Sequence, residues 1–213
     1  MSMNPTNTKN IPKTVLAQYL PPHPIIIEAG AHIGRDTIKM VNLWSTSIIH
    51  AFEPVPALFE QLTAKAAQYP SIHCYQLALS NQSGTSTFFM SSGRSTATSS
   101  LLEPTTLLSP AIIFDPIEVT TVTLDEWARK NVIHSVDFLW LDMQGAELKA
   151  LQGGTTLLKT VHAIYTEVNL VARYKKAPLY LDIKEWLQAQ RFTVALEAFD
   201  GSDWGNVLFI KQR

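Results

Sequence analysis

The segment from Pro24 to Gly34 constrains this chain most. Ile25, Ile26 and Ile27 are three consecutive β-branched residues, which favour extended backbone and, with no polar residue alternating among them, read as a strand buried on both faces. Glycines at 30 and 34 follow at once and read as a tight turn into a helix over Arg35–Leu43, where Ile38, Val41 and Trp44 recur at helical spacing. A second apolar run from Ile48 ends on Glu53, about 20 residues beyond Gly34. The pattern is a βαβ unit whose second strand delivers a carboxylate to the place a ribose would occupy.

The glycine spacing decides which nucleotide such a unit takes. A dinucleotide fingerprint needs glycine at its second position so that backbone can approach the pyrophosphate, and that position here is His32. S-adenosylmethionine carries no phosphate; its sulfonium, ammonium and carboxylate tolerate an acid beside the turn, and Glu28 is that acid. We therefore expect Gly30 and Gly34 to bring backbone against the methionine portion, Glu28 to face its ammonium, and Glu53 to hold both ribose hydroxyls. His32 reads as a turn residue lining the methionine pocket, with a general base as the alternative.

Five segments resemble, in this order, the FkbM-type methyltransferases: Glu-Ala-Gly-Ala-His-Ile-Gly at 28–34, Phe-Glu-Pro at 52–54, Ala-Leu-Ser at 78–80, Thr-Leu-Asp at 123–125 and Leu-Asp-Met-Gln-Gly-Ala-Glu at 141–147. The likeness covers about residues 24 to 170. It implies a Rossmann-like, S-adenosylmethionine-dependent enzyme that methylates a hydroxyl of a sugar or natural product, with an adenine pocket at Ala78 and Ser80. Position 144 departs from the pattern, because the family carries Asp-x-Glu-Gly where this chain has Gln144.

Composition narrows the partners. Seventeen Lys and Arg against eighteen Asp and Glu, a formal charge of −1, provide no field to gather nucleic acid and no basic run for a phospholipid surface. A single cysteine, Cys74, cannot close an internal disulfide, so a reducing cytoplasm is expected. No segment approaches the roughly 20 apolar residues of a membrane span. At 213 residues with 46% hydrophobic content, one α/β domain with a full core is expected. Oligomeric state is left open.

Taken in order, the chain predicts a disordered stretch over 1–10 within an N-terminal extension to residue 20, then seven core strands separated by helices. Pro56 opens a helix at its first position, Thr123-Leu-Asp-Glu126 has the form of a capping box, and Pro178 opens the helix carrying Ile183 and Leu187. The strands start near Ile25, Ile48, Ile72, Val136, Ala163, Phe192 and Val207, and the last two, joined through Asp200-Gly201, pair antiparallel. This is a Rossmann-like doubly wound sheet, the class I methyltransferase fold, in one domain. Thr85–Met90 and Ile117–Val122 alternate as extra strands. Ten of the twenty residues from Ser91 to Pro110 are Ser or Thr, which makes 91–116 a candidate mobile substrate lid, with a plain surface insertion as the alternative.

Glu28, Glu53, Asp142 and Glu167 all fall at predicted strand ends, so four acids converge on the sheet's carboxyl edge. Asp142 or Glu167 is the candidate proton acceptor for methyl transfer. With Asn169 the same two acids form an oxygen set for a divalent cation across two substrate hydroxyls. The expected partner is a small-molecule hydroxyl acceptor. Two other functions compete: a nicotinamide oxidoreductase, disfavoured by His32 and by the absence of a Tyr-x-x-x-Lys pair, and a non-catalytic nucleotide-binding module.

Overall fold

The computed structural model describes residues 9–212, so the expected disorder over 1–10 lies, but for its last two positions, outside the described residues. Seven strands form the main sheet: β1 (Ile25–Ala29), β2 (Ile48–Phe52), β3 (Ile72–Tyr75), β7 (Phe138–Leu141), β8 (Ala163–Asn169), β9 (Phe192–Ala198) and β10 (Trp204–Lys211). Their order is β3-β2-β1-β7-β8-β10-β9. All run parallel except β10, which pairs antiparallel with both neighbours. The doubly wound sheet with an antiparallel last strand is therefore the architecture observed.

Two helical layers cover it. One face carries α1 (Lys13–Leu16), α2 (Arg35–Leu43) and α3 (Pro56–Ala66), packed on Ile26, Ile49, Phe138 and Tyr165. The other carries α4 (Leu124–Lys130), α5 (Glu147–Gln152) and α6 (Tyr180–Ala189), packed on Ile27, Leu139, Ile164 and Val207. Alternation along each strand sends odd and even positions to opposite layers, which is why Ile26 and Ile27 are both fully buried, with Ile25 at the strand's start partly so. At α4, Thr123 accepts from the Glu126 amide at 3.1 Å, but the Glu126 carboxylate turns to Ser83 and Lys130, so only half of the expected capping box forms.

A second sheet was not legible as such. β4 (Ala78–Leu79), β5 (Gly84–Gly93) and β6 (Ile112–Val122) form a three-stranded sheet in the order β4-β6-β5, with Gly93 paired to Ile112. Both long strands thus run into the stretch expected to be a loop, and its irregular part shrinks to 94–111. Pro116 is tolerated inside β6 because β4 pairs only with Thr121 and Val122, leaving the other edge of β6 open at the proline. The sheet's apolar face, with Phe88 and Val119, packs on Val55 and Leu58 where the chain enters α3.

Candidate active site

The chain runs outward through β1, β2 and β3 and then crosses back to place β7 beside β1, so the switch point lies between those two strands. A cavity of about 260 Å³ opens at their carboxyl ends. Its floor is the β1 turn with Gly30, Ala31 and His32; its walls are Glu53 and Pro54 after β2, Ala78 and Leu79, and Asp142, Met143 and Gln144 after β7.

Gly30 has φ +84°, and a Cβ placed there would lie 1.9 Å from the carbonyl oxygen of Asp142. The glycine is thus required first by the meeting of the two loops, before any cofactor is considered. Gly34, also left-handed at φ +76°, serves packing instead. Its hypothetical Cβ would meet Leu62 of α3 at 2.8 Å, and Gly34 is absent from the cavity lining.

The acids do not share one environment. Glu28 is buried and accepts from Thr37 Oγ1 at 2.5 Å; burial raises its pKa to about 8 against the opposing effect of that hydrogen bond. The Glu53 carboxylate accepts from two backbone amides, Val55 at 2.8 Å and His32 at 2.9 Å, and burial still raises its pKa to about 7. Each of its oxygens keeps a lone pair for a further donor. His32 itself sits at φ +51°, with ring Nε2 2.9 Å from Thr96 Oγ1, and burial lowers its pKa. It therefore joins the turn, the second acid and the hydroxyl-rich segment.

Parallel register pairs Leu141 with Thr166, so Asp142 and Glu167 leave adjacent strands side by side on the α2 face. Asp142 is open to the cavity, yet the surrounding protein desolvates its carboxylate and raises its pKa. Glu167 is buried, absent from the cavity lining, and raised further by its own burial and by the charge of Asp142. Between them lies Gln144, whose Nε2 donates to Asp142 Oδ1 at 2.8 Å and to Glu167 Oε1 at 3.0 Å. Asn169 Oδ1 is buried with no hydrogen-bond partner among the described residues. The expected oxygen set of Asp142, Glu167 and Asn169 consequently does not fit a cation as it stands: an amide NH₂ occupies the point where the two carboxylates converge, and no cluster of three His, Cys, Asp or Glu with ligand geometry occurs among the described residues. Glu147, raised to about 7 by burial, accepts from the amides of Met143 and Gly145 and holds the β7 turn.

The sequence profile of the FkbM methyltransferase domain matches residues 28–194. The chain belongs to this family. The 2-O-methyltransferase NoeI of Sinorhizobium fredii (strain NBRC 101917 / NGR234) is 28% identical over 171 residues, covering 76% of this chain and 70% of that protein. Solved structures share the fold: the fibrillarin pre-rRNA processing protein of Methanococcus jannaschii has a TM-score of 0.56 at 12% identity, covering 91% of this chain and 68% of that one. A putative rRNA methylase from Clostridium thermocellum also scores 0.56, at 10% identity over 94% and 93% of the two chains. Aeropyrum pernix fibrillarin, solved with natively bound S-adenosyl-L-methionine, scores 0.51 at 10% identity over 88% and 66%.

Within this FkbM domain, of the residues singled out in the sequence, Glu28, Gly30, His32, Glu53, Ala78 and Asp142 line the cavity, whereas Gly34, Ser80 and Glu167 do not. Ser80 is buried behind Leu79, with its hydroxyl directed to Asn81. Sequence reasoning missed Arg35, Asp36 and Trp140, which line the cavity on the α2 face, and Leu58, Phe88 and Leu101, which form its apolar side. Trp140 had a readable signal, since it stands two positions before Asp142 on the same strand face. The contributions of Phe88 and Leu101 arise from the second sheet and from segment 94–111, and no local pattern announces them.

Proposed function

We propose that this FkbM domain binds S-adenosylmethionine at the β1 turn and transfers its methyl group to a hydroxyl of a sugar or comparable small molecule. The observation that carries the reading is Asp142: one cavity joins its carboxylate to the Gly30 turn and to Glu53. The residues fit the cofactor, because Glu53 presents free lone pairs beside a glycine turn and Ala78 with Leu79 offers an apolar wall to an adenine. When bound, S-adenosylmethionine supplies a methyl group on a sulfonium sulfur, and the acceptor oxygen takes the methyl as the carbon–sulfur pair returns to sulfur. Asp142 accepts the proton leaving that oxygen, and desolvation of its carboxylate makes it a stronger base than an exposed one. Glu167, outside the cavity, acts only through Gln144. His32 and Thr96 both line the cavity and join the β1 turn to segment 94–111.

The 2-O-methyltransferase relative supports a hydroxyl acceptor. A balanced charge and a cavity edged by Glu28, Asp36, Glu53 and Asp142 favour a small neutral molecule over RNA. Calorimetric titration with S-adenosylmethionine and with NAD, followed by methyl release onto a panel of monosaccharides and glycosides, tests the reading. Binding of S-adenosylmethionine alone with methylated sugar product is expected; binding of NAD instead, or of S-adenosylmethionine without product from any hydroxyl compound, would refute it.

A further inference from the structure

Gln144 is held on its side chain and on its backbone. It stands at φ +54°, a left-handed conformation that a residue with a Cβ adopts only where its surroundings hold it there. Its amide NH₂ donates to Asp142 and Glu167, and its carbonyl oxygen lies 3.2 Å from the Tyr174 hydroxyl, which also lies 2.8 Å from the backbone oxygen of Thr98. Its backbone oxygen accepts from Ser100 Oγ at 2.9 Å. The two carboxylates dictate the amide's orientation, since both need a donor and so face the nitrogen, while the single Tyr174 proton is divided between the Thr98 oxygen and Gln144 Oε1. Tyr174 is in turn clamped, buried between Leu102 and Leu108 and bridged to Pro104, so segments 94–111 and 170–177 are stitched to each other and both meet at Gln144.

We propose that Gln144 is the positioning residue of the transfer site: its amide holds the Asp142 carboxylate toward the cavity and, through Tyr174 and Ser100, locks segment 94–111 to it as the cavity's far wall. The charges around Asp142 show why a neutral donor is needed there. Asp36 on α2, Glu28 on β1, Glu147 on α5, and Glu167 with Tyr165 on β8 surround it with acidic or neutral groups, as does Tyr174, while Arg35 and His32 line the same cavity without hydrogen-bonding to it among the described residues. Arg173 acts on Glu167 rather than on Asp142. An N–H donor at this point favours the charged form of Asp142 without adding charge, whereas a carboxylate at position 144 would place a third acid between two others.

This inference rests on Asp142 as proton acceptor, and the experiment keeps the two apart. Protein labelled with 13C at Asp and Glu carboxyls is titrated without cofactor, and the Asp142 signal is identified by its loss in Asp142→Asn. In Gln144→Ala the Asp142 midpoint is expected to rise by about one pH unit or more, since the charged form loses its donor. Gln144→Glu should raise it further, and Tyr174→Phe, which keeps the ring between Leu102 and Leu108, should raise it by less. Amide exchange over 94–111 should quicken in Gln144→Ala and in Tyr174→Phe, which a residue acting only on Asp142 would not cause. An Asp142 midpoint unmoved in Gln144→Ala overturns the inference. If that variant does not fold, an unmoved midpoint in Tyr174→Phe does so instead. The reading beneath fails separately, through an Asp142→Asn protein that transfers methyl as fast as the parent.

Discussion

The two sides of the cavity are held by different kinds of bond. On the cofactor side, Glu53 is fixed by amides of Val55 and His32 and Glu28 by Thr37, all within the single βαβ unit. On the acceptor side, Gln144 meets Glu167, Tyr174 and Ser100, and Tyr174 meets Thr98, contacts that join β7 to β8, to the loop after it and to a segment preceding β6. The first side is anchored within one βαβ unit, and the β7 loop at Gly30 and the second sheet at Ala78 and Leu79 only close it off. The second exists only after distant segments have docked, so changes there should alter chemistry while leaving cofactor affinity intact.

The sharpest test of that division is Asp142→Asn, which removes a charge with little change in shape. Transfer is expected to fall by roughly two to four powers of ten, while calorimetry finds cofactor binding within a few-fold of the parent. Loss of both together would erase the distinction between the sides. Gly30→Val strikes where they touch. Because the new side chain would run into the Asp142 carbonyl oxygen, we expect about 3 kcal/mol or more of lost stability, a melting point lower by roughly 6–12 °C, and loss of binding. A variant as stable as the parent would mean that the two loops are not packed as described.

Glu53→Ala should be milder and confined to the cofactor side. It removes the carboxylate that two backbone amides donate to and, on the proposed reading, two charge-assisted bonds to the ribose, so affinity for S-adenosylmethionine should weaken at least about tenfold, read by calorimetry. An unchanged dissociation constant would detach β2 from the cofactor. The smallest effect concerns pH. Glu28, Glu53 and Glu147 all have pKa values raised on folding, to about 8, 7 and 7, so the folded state binds more protons than the unfolded chain through this range. Their contribution is fully present below the ordinary carboxylate pKa and is lost as pH rises through the folded values. The cofactor-free protein should therefore melt at a higher temperature near about pH 5 than near about pH 8, and Glu28→Gln should flatten the difference. A melting point that climbs over this interval would contradict the burial assigned to these acids.

By itself the sequence determined the strand order's raw material and the cofactor side. Three isoleucines, a glycine turn and an acid after the second strand can be satisfied together only in a buried βαβ unit, because each signal is local and each reports a backbone or burial requirement. It also placed Asp142 at the sheet's edge. Tertiary structure alone decided what those residues touch. It set Gly34 against Leu62 of α3, left Ser80 and Glu167 out of the cavity lining, and put the amide of Gln144 where a cation between two acids had been expected. It also paired β5 with β6 into a second sheet and pinned the hydroxyl-rich segment to Tyr174. The reason is physical: period and propensity encode which face a residue turns toward, but partners tens of residues apart are selected only by packing and by the need to satisfy every buried polar group at once.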